Sequence, residues 1–206
     1  MSLVKNTSIT VFTKLASTGA AALATVVVAT TLGPKGAGTY ALIRMLPNVI
    51  AAMMGAGITI ANPYLVSSKR YTPQVITETT LALGLVVGFL GWGVWAACST
   101  FLHNTFYTEL SQTAAIFVGL SIPLCMLRDY LNSVQQGMQS FRAANLVLFM
   151  DDFLSLLLVL PFYFFHPSTT MLAVAEVTGT FGAVLTAACC LMYRGIKPFP
   201  RFHCSA

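Results

Sequence analysis

Two adjacent aspartates, Asp151 and Asp152, interrupt the apolar run "NLVLFMDDFLSLLLVL", where the surrounding pattern asks for leucine. Like charges side by side in a low dielectric resist double ionisation, so such a pair suits the holding of a proton or a cation. Asn145, seven residues before Asp152, shares its helical face, while Asp151 points elsewhere with Ser155 four residues ahead. Counting about 1.5 Å per residue from Arg142 puts both carboxylates roughly 13–15 Å inside the run, too deep for surface charges. Glu176, with Thr180 one turn on, raises the same question. Asp151, Asp152 and Glu176 are therefore candidates for ion coupling. The alternative is that each meets a donor on a neighbouring helix and only ties the structure together.

A second constellation is cationic and neutral. Arg44 is followed by Asn48 four residues on, Gly55 eleven on and Asn62 eighteen on. At about 100° per residue these fall within about 40° of one another, a polar stripe along an otherwise apolar helix. Such a stripe would line an aqueous groove, with Arg44 as its fixed positive charge. Pro47 and Pro63 flank it and would free backbone carbonyls, as in a bent helix beside a cavity. Arg44 also lies near enough to the start of its apolar run to snorkel to the headgroups, and Lys14 has the same ambiguity. Arg44, Asn48, Asn62 and Lys14 are the candidate binding residues.

The elements that must carry these side chains are membrane helices. Of 206 residues, 56% are hydrophobic and 8% charged, with a mean hydropathy of +0.78, well outside soluble usage. Runs of the length needed to cross about 30 Å of hydrocarbon occur at approximately 10–32, 39–66, 75–101, 111–134, 142–165 and 168–192. Breaks carrying glycine, proline or polar clusters separate them: "GPKGAG", "SSKRYTPQ", "HNTFYTEL", "QQGMQSF" and "HPS". The expected fold is an all-α membrane protein, with one six-helix bundle over residues 1–193 and a basic tail over 194–206. The first apolar run is long and lacks a cleavage signature, so the N-terminus is expected to be retained.

With six crossings both termini share a side. One face then holds Lys5, Lys14, Lys69, Arg70, Arg128, Arg142, Arg194, Lys197 and Arg201, and the other only Lys35 and Arg44. That asymmetry places both termini in the cytoplasm. Trp92, Trp95, Phe106, Tyr107 and "FYFF" at 162–165 fall at the opposite boundary, as an interfacial aromatic belt would. Glu78, near the end of its run, reads as an interfacial charge.

Several function classes are disfavoured. The net charge of +5 is scattered between spans rather than gathered on one face, which argues against nucleic acid. The five cysteines include no C-x-x-C and sit mostly in apolar runs, so neither a metal site nor a disulfide framework is expected. No G-x-S-x-G, H-E-x-x-H or P-loop motif occurs, and His103, His166 and His203 fall in loops or the tail, so the expectation is a non-enzyme without a cofactor. No channel filter or ring of charge is evident. A transporter, or a piece of one, remains.

Two segments carry a family resemblance. "LGPKGAGTYAL" at 32–42 resembles the L-G-x-x-x-x-G-x-Y segment of lipid-linked oligosaccharide flippases, and "QQGMQSFRAAN" at 135–145 resembles their Q-G-x-Q-x-F-R turn between the fourth and fifth helices. These flippases form the polysaccharide-transporter branch of the multidrug/oligosaccharidyl-lipid/polysaccharide exporter superfamily. The resemblance implies two similar bundles around a cavity, moving a lipid-diphosphate-linked saccharide across the cytoplasmic membrane by alternating access. Basic cavity residues would meet the diphosphate, and Arg44 and Lys14 are the positions that could do so. The sequence departs from the family in stopping after six spans, the N-terminal lobe, with "MYRGIKPFPRFHCSA" similar to a shortened linker between lobes. The expectation is a truncated product or a half completed by a second chain. A cation-coupled small-molecule exporter of the same superfamily and a non-transporting membrane scaffold are the competing readings.

Overall fold

The computed structural model describes residues 3–55, 57–106, 108, 110–163 and 168–201. Helix dominates: α1 (Leu3–Met54), α2 (Ile58–Ser67), α3 (Pro73–Ala97), α4 (Ser99–Thr105), α5 (Gln112–Gly119), α6 (Ser121–Gly137), α7 (Phe141–Val159), a 3₁₀ turn (Leu160–Tyr163) and α8 (Thr169–Met192). Among the described residues there is no strand. Large apolar side chains such as Phe12, Met53, Ile60, Leu90 and Val94 point outward, a surface suited to lipid rather than water.

The helix boundaries correct the expectation of six unbroken spans. Among the described residues, four stretches are long and apolar enough to cross a membrane by length and composition: Thr10–Met54, Pro73–Ala97, Gln112–Gly137 and Thr169–Met192. The 19-residue α7 is not among them, because it carries Arg142, Asp151 and Asp152. The first stretch joins two of the expected runs. Its 45 residues would reach about 68 Å if straight, over twice the hydrocarbon thickness. Gly33 resolves this: at φ 71° and ψ −173° it leaves the helical region, and the chain folds back there. The fold-back is visible in the contacts, since Ser17 before the bend and Arg44 after it both bond to Asp152. "GPKGAG" is thus a sharp bend with helix resuming at once, not a loop.

Elsewhere the expected runs are subdivided. Gly57, in the left-handed conformation (φ 76°), separates α1 from α2. Cys98 separates α3 from α4, which contains His103, and Leu120 separates α5 from α6. The turn at 138–140 falls where the sequence places it, with Gln139 left-handed (φ 57°). The "HPS" break lies largely outside the described residues, as do Tyr107 and Phe164–Phe165.

Small residues set how closely the helices approach. Gly84 and Gly88 on α3 form a G-x-x-x-G seam against α6, where a Cβ on Gly88 would lie 2.7 Å from Pro123 Cα and one on Gly84 would lie 3.0 Å from the Tyr130 ring. Gly179 on α8 brings that helix against Ser155 of α7 in the same way. Helix α7 packs chiefly on α1 and α8, and α6 on α2, α3 and α8. One apolar cluster centres on Ile43, Ala115, Val118, Ile122 and Leu172, and a second on Leu131, Val134, Val147, Ala183 and Leu191. Trp95 belongs to the first: it is buried, donating from Nε1 to the Ala115 carbonyl at 2.8 Å, and is no part of an interfacial belt.

After α8 the chain turns back rather than trailing away. Gln74 at the start of α3 donates to the Lys197 carbonyl (2.7 Å) and accepts from the Lys197 amide (2.8 Å), and Ile196 is buried. Glu78, near the end of its helix, is buried beside this clasp and accepts from Gln74. One end of the bundle therefore gathers Lys69, Arg70, Arg142, Arg194, Lys197 and Arg201, on the segments that flank α2, α3, α7 and α8.

Candidate functional site

Helices α1, α6, α7 and α8 converge on a network of charged groups. Arg128 of α6, only 7% exposed, donates from Nη1 to Asp151 Oδ2, from Nη2 to Asn48 Oδ1 (2.9 Å) and from Nε to Asp129 Oδ1 (2.9 Å). Arg44 of α1 donates from Nη2 to Asp152 Oδ1 and from Nε to Glu176 Oε1 (3.3 Å), with its guanidinium 5.9 Å from the centre of the Tyr40 ring. Glu176 Oε2 accepts from the Ser155 hydroxyl at 3.0 Å. Asn48 closes the circuit by donating to the Arg44 carbonyl at 2.7 Å.

This arrangement changes the meaning of the aspartate pair. Neighbours in sequence project about 100° apart around a helix, so the two carboxylates do not share one space. Asp151 turns to Arg128 and Asp152 to Arg44, each with its own guanidinium. Charge is offset by salt bridges, and among the described residues no group of three or more His, Cys, Asp or Glu could hold a metal ion. Each of these acids thus meets a donor on a neighbouring helix. The donors are arginines.

Arg128 departs from its expected place: the charge count sets it among the cations of the cytoplasmic face, whereas it is buried at the centre of the network. The sequence carries a signal for this, since Arg128 lies six residues inside the apolar run 111–134.

A cleft of 360 Å³ opens beside the network. The segment of α1 before the bend contributes Thr13, Lys14, Ser17 and Thr18, and the segment after it Arg44 and Asn48; α6 adds Arg128, and α7 adds Asn145, Leu148, Asp151 and Asp152. Ser17 donates to Asp152 Oδ2, and Asn145 donates to Thr10 at 2.8 Å, so the first segment is pinned to α7 at two points. Thr10, Thr13, Lys14 and Ser17 recur at helical spacing, a polar face legible in the sequence itself. Lys14 is exposed and makes no ion pair among the described residues, unlike the two arginines.

Of the expected binding residues, Arg44, Asn48 and Lys14 meet in this cleft and Asn62 does not. The stripe that would have joined them is broken at residues 55–57. Asn62 sits on α2, buried, donating to Ser133 of α6 at 2.8 Å. Asp151 and Asp152 line the cleft, while Glu176 reaches the network from behind it, 3% exposed.

No protein-family model matches the chain, and no curated protein matches it in sequence. A solved structure does resemble it: a MOP superfamily transporter from Pyrococcus furiosus Vc1 (DSM3638), with a TM-score of 0.68 at 16% identity over 96% of this chain and 44% of that one. The chain thus has the fold of part of a membrane transporter and spans less than half of that protein's length. MOP is the superfamily toward which the sequence motifs point; the likeness in structure is one of fold and does not single out its polysaccharide branch.

Proposed function

We propose that the chain is a membrane transporter, or the N-terminal lobe of one, that moves a lipid-diphosphate-linked saccharide across the cytoplasmic membrane. The observation that carries this reading is the make-up of the cleft, in which Leu148 is the one apolar lining residue among the described residues. Hydroxyls and amides of Thr13, Ser17, Thr18, Asn48 and Asn145 are the groups that hydrogen-bond sugar hydroxyls, whereas a site for greasy drugs is mostly apolar. Lys14, uncommitted to any acid, takes the role of meeting the substrate's diphosphate. Arg44 and Arg128 hold the cleft's shape through their carboxylates instead. In this reading the helices cross the membrane six times, with both termini in the cytoplasm, and a second lobe or chain completes the path, since transporters commonly bind substrate between paired bundles.

Binding is the direct test. The purified chain in nanodiscs should bind a fluorescent polyprenyl-diphosphate-linked saccharide, and Lys14→Gln should weaken binding about tenfold, the loss of one charge-assisted contact. Equal affinity for the sugar-free polyprenyl diphosphate, together with no effect of Lys14→Gln, would overturn the assignment. Restoration of polysaccharide export in a flippase-null strain tests translocation itself, and its failure alongside intact binding would favour a non-transporting role.

One observation favours a second reading, a cation-coupled exporter. Four carboxylates, Asp129, Asp151, Asp152 and Glu176, surround two arginines, and Asp151 Oδ1 is buried without a hydrogen-bond partner. Under that reading transport responds to external pH and the response is lost in Asp151→Asn. Export unchanged by pH in both proteins would remove it.

A further inference from the structure

A second concavity lies between the start of α7 and the end of α8. It has a volume of 550 Å³ and shares no lining residue with the polar cleft. Its floor is apolar, formed by Ala143, Leu146 and Leu185. Arg142 and Arg194 stand at its edge, both exposed and neither in an ion pair among the described residues. Tyr193, 94% exposed, stands next to Arg194.

The combination is that of an interfacial lipid site. An apolar trough between helices accepts an acyl chain, paired arginines at its mouth accept a phosphate, and a protruding tyrosine is at home among headgroups. The groove opens at the basic end of the bundle, where Lys69, Arg70, Lys197 and Arg201 add to the positive field. A free phosphate would leave the apolar floor bare, and an uncharged lipid would leave both guanidiniums unanswered.

We propose that this groove binds one anionic phospholipid of the surrounding membrane, its phosphate between Arg142 and Arg194 and an acyl chain along Leu146 and Leu185. The site serves the protein irrespective of what passes through the cleft. It anchors α7, the helix that carries Asp151 and Asp152, to α8 and to one leaflet.

Native mass spectrometry of the full chain, released from detergent containing equimolar phosphatidylglycerol and phosphatidylcholine with the same acyl chains, reads this out. The first bound lipid should be phosphatidylglycerol by about tenfold. The preference should fall to parity in Arg142→Gln/Arg194→Gln and persist in Lys35→Glu, which lowers the net charge by as much away from the basic end. Leu185→Trp, which fills the trough and keeps the charges, should lower lipid occupancy, with circular dichroism confirming the helical fold of each variant. Retained preference in the double arginine variant, or displacement of the phosphatidylglycerol by inorganic phosphate in excess, would overturn the proposal.

Discussion

The Arg128–Asp151 pair gives the most demanding prediction. Arg128→Met leaves Asp151, 8% exposed, as a buried carboxylate without its counter-charge. Removing one partner of such a pair costs about 3–5 kcal/mol, most of it the desolvation of the charge left behind. Asp129, its side chain 36% exposed, can turn to water when its 2.9 Å bond to Arg128 is lost, and adds little. Asn48 lines the cleft and loses one acceptor bond, about 1 kcal/mol. If Asp151 is then replaced by Leu, the stranded charge disappears, and the double variant should stand within about 1–2 kcal/mol of the parent. Asp151→Leu should therefore recover about 2–3 kcal/mol of the loss in Arg128→Met, and the coupling is larger by whatever Asp151→Leu costs alone, since that variant strands Arg128. Reversible unfolding in mixed micelles, followed by circular dichroism, supplies the four free energies. A loss below about 1 kcal/mol in Arg128→Met, or a double variant no more stable than the single, would refute the claim that this salt bridge answers a buried charge. The same cycle on Arg44 and Asp152, with side chains 23% and 19% exposed, should give a smaller coupling, because water reaches the pair and Arg44 retains Glu176.

Other regions make independent predictions, checked by the same unfolding measurement unless stated. Gly88→Leu drives a side chain into the backbone of α6 at Pro123 and should destabilise by about 1–3 kcal/mol, whereas Gly93→Leu, with nothing near its Cβ, should change stability by no more than about 0.5 kcal/mol. Trp95→Phe removes the 2.8 Å bond to Ala115 and leaves a buried carbonyl short of a donor, a loss of about 1 kcal/mol. Gln74→Ala opens the clasp on Lys197, so amide exchange at residues 197–201 should accelerate about tenfold by mass spectrometry while exchange in α6 stays unchanged.

Particular residues show how far the sequence could be read. Asp151 and Asp152 were identifiable as groups in need of partners from depth alone, since 1.5 Å per residue measures distance into a helix without any knowledge of its neighbours. The QGMQSF turn was likewise legible, because glycine and polar clusters break helices through local physics. Asn62 was not. Angular periodicity extends a stripe only while the helix lasts, and Gly57 ends it. Trp95 failed in another way: an aromatic near a helix end suits an interface equally well, and only the facing carbonyl of Ala115 decides between belt and core.

Composition by itself determined that the chain is helical and built for lipid, because 56% hydrophobic residues in runs of about twenty leave few alternatives for satisfying the backbone away from water. It also marked the acids, Arg44 and Lys14 as the groups to explain. Only tertiary structure decided which charge meets which. Arg128 and Asp151 are 23 residues apart, Arg44 and Asp152 are 108, and Ser17 and Asp152 are 135. No local rule spans such distances. Those pairings follow from the reversal at Gly33, which brings the two segments of α1 together, and from the packing of α6 and α7 that turns two adjacent aspartates toward two different arginines.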